Sequence, residues 1–267
     1  MRPLARRVCL PLAAAALLMA VVAWFPHGPL ASLGALAAAP PAVDEYDFGN
    51  TAYDGRFVFV RIRYDMGFSG GFFRRDLPWA HDYPLAERNL SKILEAVTSV
   101  DPYLAPNGGN VMTFDDPEIF KFPFAYMSEP GYWTMNETEV RGLRAYLQKG
   151  GFLVFDDFRG DHWFNFERQV RRVLPDARLV ELDVTHPIFH AFFGIETLEM
   201  HEMYGLPVRF FGVFEDNDPN RRLMMIVNYN NDIGEYWEFS DTGFYPVDLT
   251  NESYEFGVNY VIYALTH

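Results

Sequence analysis

The sequence predicts an α/β domain built on a mainly parallel sheet. Strand-length apolar runs alternate with segments of helical period, which implies parallel strands joined by right-handed crossovers. One run, Phe152-Leu153-Val154-Phe155, is unbroken, as suits a central strand buried on both faces. The last two runs, Val208–Phe214 and Leu223–Tyr229, flank a polar Asp/Asn/Pro turn and read as an antiparallel hairpin extending the sheet. With 49% hydrophobic residues the chain can bury a core, which excludes a disordered or low-complexity protein.

The elements follow in order. Phe57–Ile62 is the first strand, and a long loop rich in Gly and aromatics runs from Met66 to Glu87. Leu90, Ile93, Leu94 and Val97 recur at i, i+3, i+4, i+7 and mark one face of a helix. Asn110–Phe114 and Phe122–Met127 are strand-length runs. Asn136 with Glu139 forms a capping pair, Val140, Leu143 and Leu147 supply the buried stripe, and Gly150-Gly151 ends that helix. After the Phe152 strand, Trp163, Phe166, Val170 and Val173 mark another helix, and Ala177–Leu182 another strand. Thr185 can cap a short helix begun by Pro187. Tyr254, Val258, Val261, Ile262 and Leu265 define a closing helix.

Ahead of this domain lies a leader. Arg2, Arg6 and Arg7 precede an uncharged run of 18 residues, Val8–Phe25, and no acidic residue occurs before Asp44. That order is the export-signal pattern, with Ala35-Leu36-Ala37 fitting the small-x-small cleavage rule. The run also approaches the length of a membrane span, so residues 1–37 read as a cleaved signal or an uncleaved anchor. Residues 38–45 are a linker, and 46–267 a single α/β domain. Both topologies place the body outside the cytoplasmic membrane, periplasmic or anchored to its outer face.

Charge and cysteine content narrow the classes further. The net charge of −14 argues against a nucleic-acid or anionic-membrane surface. Without the three leader arginines, 19 basic residues face 36 acidic ones, a net of −17. The single cysteine, Cys9, lies in the leader, so the body has no disulfide, no cysteine-built zinc site and no thiol nucleophile.

Open α/β sheets place ligands beyond the carboxyl ends of their strands. That rule selects Asp65 after the first strand, Ser128 and Glu129 after the third, Asp156, Asp157, Arg159, Asp161 and His162 after the Phe152 strand, and Asn228, Asn230 and Asp232 after the hairpin. Asp156, Asp157 and His162 are the candidate catalytic residues. An adjacent carboxylate pair can hold a cation or exchange protons, but on a strand only one of the two faces a given pocket, and capping the next helix is the common role of such an Asp. Gly67-Phe68-Ser69-Gly70-Gly71 matches the G-x-S-x-G pattern, yet no helix follows to build the elbow that exposes a nucleophilic serine. His186 and His190 share a helix face at i, i+4, and His162 or His201 would be a third ligand. Pro187, Ile188 and Phe189 instead suggest structural histidines in a packed turn, so no metal site and no cofactor are expected.

Candidate ligand-binding residues are Phe73, Arg74, Trp79, His81, Asp65 and Asn228. The loop's aromatic faces and polar rims suit a carbohydrate or peptide; the alternative is a loop packed over the sheet by its own aromatics.

Four segments taken in order carry a resemblance: Asp82-Tyr83-Pro84-Leu85-Ala86-Glu87-Arg88-Asn89-Leu90, Gly150-Gly151-Phe152-Leu153-Val154-Phe155-Asp156-Asp157-Phe158, His186-Pro187-Ile188-Phe189-His190 and Gly257-Val258-Asn259-Tyr260-Val261-Ile262-Tyr263. Together the sequence from about Phe57 to Thr266 resembles the bacterial family called domain of unknown function 4159. The resemblance implies a three-layer, flavodoxin-like sandwich of the class I glutamine amidotransferase-like kind. It supplies no catalytic residues, and where amidotransferases carry a cysteine elbow this chain reads Asp156-Asp157-Phe158-Arg159-Gly160. The chain is therefore not expected to be a cysteine-dependent amidotransferase. The family's association with exported or membrane proteins carrying von Willebrand-type domains implies a protein partner. The reading is a non-catalytic binding module of the cell envelope, its partner an envelope protein or a glycan. The alternative is a hydrolase of carbohydrate or peptide bonds.

Overall fold

The computed structural model describes residues 48–67 and 77–267. The leader, the linker, Ser69, Phe73 and Arg74 lie outside the described residues. The first elements are β1 (Val60–Ile62), β2 (Asp65–Met66), α1 (Leu85–Val97), β3 (Asn110–Met112), β4 (Phe124–Ser128), β5 (Trp133–Thr134) and α2 (Glu137–Gln148). There follow β6 (Phe152–Phe158), α3 (His162–Val173), β7 (Val180–Glu181), β8 (Arg209–Phe214), β9 (Leu223–Tyr229), α4 (Ile233–Glu238) and α5 (Val247–Thr266).

Seven strands form one sheet in the order β3-β1-β4-β6-β9-β8-β7, and β2 pairs antiparallel with β5 apart from it. The first five in that order are parallel, and β8 and β7 continue the sheet antiparallel. The expected hairpin is therefore present as β8–β9. The chain steps from β1 outward to β3, then returns to place β4 on the other side of β1. That reversal opens a crevice at the strand carboxyl ends.

Strand alternation divides the core into two faces. On β6, Leu153 and Phe155 join Val140, Leu143 and Leu147 of α2 and Phe166, Val170 and Val173 of α3. Phe152 and Val154 join Leu90 and Leu94 of α1, Trp237 of α4 and Phe256 and Val261 of α5. The result is an α/β sandwich with helices on both faces of the sheet. Among the described residues no helix is long and apolar enough to cross a membrane.

Local signals explain the helix ends. Asn136 accepts N–H groups of Thr138 and Glu139 while Glu139 accepts that of Asn136, a complete capping box. The short turn Pro187–His190 is capped by His186, whose Nδ1 accepts from Ile188, and not by Thr185 as the sequence suggests. Thr185 is drawn off by a hydroxyl bond to Asp183. His190 Nε2 meets the Val184 carbonyl at 2.8 Å, so both histidines serve the turn.

The outer margin of β3 is closed by side chains. Asn50 Nδ2 donates to the Val111 carbonyl and Asn50 Oδ1 accepts from the Val111 N–H, each at 2.8 Å. Asn110 makes the reciprocal pair with the backbone of Thr51.

A candidate acidic site at the strand ends

The site begins with an irregularity in β6. Phe155 pairs with Val227 and Phe158 with Tyr229, so β6 carries one residue more than β9 across this stretch. The extra residue is a bulge, and Asp157 within it has φ 55°, in the left-handed region. The bulge separates the two aspartates.

Asp156 keeps the regular facing and is buried beneath the crevice. Its Oδ2 accepts from Tyr126 Oη at 2.7 Å and from the Ile233 and Gly234 N–H groups at 3.0 Å. Asn228 Nδ2 donates to Oδ1, and Tyr260 Oη donates to the Asn228 Oδ1. Burial pushes the Asp156 carboxyl up to about 6, against the pull of its hydrogen-bond donors. Asp156 thus fastens the start of α4 to the sheet and Asn228 orients it. A Cβ on Gly234 would lie 2.6 Å from both Asp82 Oδ2 and Tyr126 Oη, so this close approach requires glycine.

Asp157 turns instead into an open cleft of about 460 Å³, lined by His81, Asp82, Glu129, Arg159, Tyr204, Asp232, Glu235 and Glu238 among others. Tyr204 Oη lies 2.7 Å from Asp157 Oδ1 and 3.1 Å from Asp232 Oδ2, so one hydroxyl proton serves two carboxylates. His81 Nδ1 is 3.4 Å from Glu129 Oε2 and 3.6 Å from Asp157 Oδ2. The Arg159 guanidinium stacks over the Tyr204 ring at 3.8 Å. Beneath the cleft, buried Arg61 pairs with Glu87 and donates through Nη1 to the carbonyls of Trp79 and His81, fixing the approach to Asp82.

Three carboxylates from three separate segments, Asp82, Asp157 and Asp232, each place an oxygen within 4.8 Å of the others. All three are buried, at 8, 6 and 6% exposure. Two unit charges at that spacing repel by roughly 3 kcal/mol at an effective dielectric constant of ~20. Burial holds both the Asp82 and the Asp232 carboxyls well above the ordinary carboxylate range, and repulsion from neighbouring carboxylates adds to it. Asp82, Glu129 and Asp157 all have positive φ, at 63°, 47° and 55°. Strained non-glycine backbone gathered on one cleft is characteristic of sites kept for function.

The residues singled out in the sequence therefore part company. Asp157 and His81 meet in the cleft, whereas Asp156 and Asn228 support it from below. His162 starts α3 and packs edge-on against Tyr132, outside the cleft lining. Asp65 is exposed on the small β2–β5 pair. Trp79 is buried, its ring edge-on to Phe48 and tilted on Tyr83, so it packs the core and offers no open face. Sequence reasoning gave no site role to Asp82, Tyr204, Glu235 or Glu238. The sole local signal was Asp232 followed three residues later by Glu235, a helix-start pattern that marks α4 and its carboxylates.

Fold and cleft together define an α/β protein with a carboxylate-lined crevice at the carboxyl ends of a parallel sheet. The chain belongs to the family described as domain of unknown function (DUF4159), whose model matches residues 58–265. The comparison with curated proteins gives no match.

Proposed function

We propose that this chain is an exported binding domain of the cell envelope whose strand-end crevice receives a positively charged ligand, here taken to be a basic segment of an envelope protein. The observation that carries this reading is the convergence of Asp82, Glu129, Asp157, Asp232, Glu235 and Glu238 on one cleft. A cation entering it relieves the mutual repulsion of those carboxylates, so affinity is drawn from a penalty already present in the free domain. The leader, with its basic start and apolar run, supports export. The parallel strands, counted alone, run 2-1-3-4-5, which supports a flavodoxin-like, amidotransferase-like ancestry with Asp157 near the place of the missing thiol.

A second reading, hydrolysis, has one observation of its own: His81 beside Asp157 and Glu129, a pairing that can take a proton from water. One experiment addresses both. A fluorescein-labelled Lys/Arg-rich peptide is titrated into the protein at low and high salt. Saturable binding that weakens with salt and falls at least fivefold in Glu235→Gln/Glu238→Gln supports the proposal. Equal affinity for an acidic peptide, or no effect of the variant, overturns it, as does preference for an amine-bearing glycan over the peptide. Cleavage of the peptide, lost in Asp157→Asn at unchanged Tm, selects hydrolysis.

A further inference from the structure

We infer that Asp82, Asp157 and Asp232 form a site for one hard divalent cation of the Mg²⁺, Mn²⁺ or Ca²⁺ class at the floor of this crevice. The inference rests on the reading of the crevice as a cation-receiving site and names what lies deepest in it.

The donor set is all oxygen, which suits hard cations over zinc or copper. Ligand oxygens on opposite sides of such an ion lie roughly 4–5 Å apart, twice the usual metal–oxygen distance. The three aspartates, within 4.8 Å of one another, already meet that span. A second and separate observation points to a missing ligand. Asp82 lines the cleft, is 8% exposed, and its Oδ2 has no hydrogen-bond partner among the described residues. A buried carboxylate oxygen without a donor is costly and uncommon. Asp82 also belongs to the neighbouring cluster with Glu235 and Glu238, so this residue stands where two carboxylate groups join. The other two aspartates share the proton of Tyr204 Oη, and Asp157 Oδ2 also accepts from Ser128 Oγ at 3.3 Å. Their segments are held from outside the cluster: Asp232 Oδ1 accepts from Glu235 N–H, and Arg61 anchors the His81 carbonyl. Such preorganisation is what a metal site needs.

The test is calorimetric titration of the EDTA-stripped full-length chain with MgCl₂, MnCl₂ and CaCl₂, paired with melting curves. At least one of these cations should bind with one-to-one stoichiometry and raise Tm. Asp82→Asn should weaken that binding at least tenfold while its own metal-free Tm stays level or rises, because the isosteric amide takes a charge out of a buried position. Asp232→Asn provides a second variant, since asparagine still caps α4. No saturable binding by any of the three cations, or unchanged affinity in both variants, overturns the inference. So does preferential ZnCl₂ binding abolished by His81→Asn, which would place the ion on the softer His81, Glu129 and Asp157 group. Basic-peptide binding without cation binding removes this inference alone, whereas absence of both removes the reading of the crevice as well.

Discussion

At the scale of single residues, two neighbours of identical type do different work. Asp156 is saturated with four donors and holds α4 to the sheet, while Asp157, one position on, is turned toward the cleft by a bulge and stays buried. Alternation along a strand anticipates that the pair would separate; it does not say which member would face the cleft, because the bulge is a property of the β6–β9 register. His186 offers a residue-scale prediction away from the site. Burial is the main cause that holds its imidazole below the usual value of 6.5, and its Nδ1 must be unprotonated to accept from Ile188. The folded chain therefore binds fewer protons than the unfolded chain just below pH 6.5. The contribution is complete above that pH and is lost as pH falls through the lower, folded value. Between pH 7 and pH 5 the wild type should therefore lose stability relative to His186→Asn, which keeps an acceptor but does not titrate, and the difference between their melting curves checks it.

At the scale of elements, the capping box of α2 sets a clear expectation. Asn136→Ala removes the acceptor of two backbone N–H groups and should cost about 1 kcal/mol in urea denaturation, with Asn136→Asp close to wild type. This helix was legible from its sequence because cap, stripe and terminal glycines all agree. The parallel strands were legible for the same reason, as unbroken apolar runs bounded by turn residues. The cleft was only half legible. Asp157 was found from its expected position at a strand end and His81 as a member of the aromatic loop, but Tyr204 comes from an irregular stretch with no periodic signal. Asp82 precedes α1 on a loop whose path depends on Arg61, a strand residue 21 positions earlier. Trp79 follows the packed-loop alternative: a loop aromatic carries no mark in the sequence of which way it packs, and here Phe48 and Tyr83 receive it.

At the scale of the whole molecule, the buried Arg61–Glu87 pair links the sheet, α1 and the cleft loop. Both side chains are about 1% exposed. Glu87→Leu leaves an uncompensated guanidinium and should cost about 3–5 kcal/mol in chemical denaturation. Arg61→Met/Glu87→Leu should be less destabilised than Glu87→Leu alone, yet should lose crevice binding, because the Trp79 and His81 carbonyls no longer have their donor. The sheet's outer margins carry a different consequence. At β7 the sheet ends in two residues, with Arg209 and Glu181 paired across the last ladder. At β3 the amide of Asn50 already occupies both outward groups of Val111. A strand from another chain would find no vacant ladder there and would have to displace that amide to recruit itself. The asparagine thus acts as a chaperone built into the fold: it answers in advance the bonding that would otherwise invite runaway sheet growth.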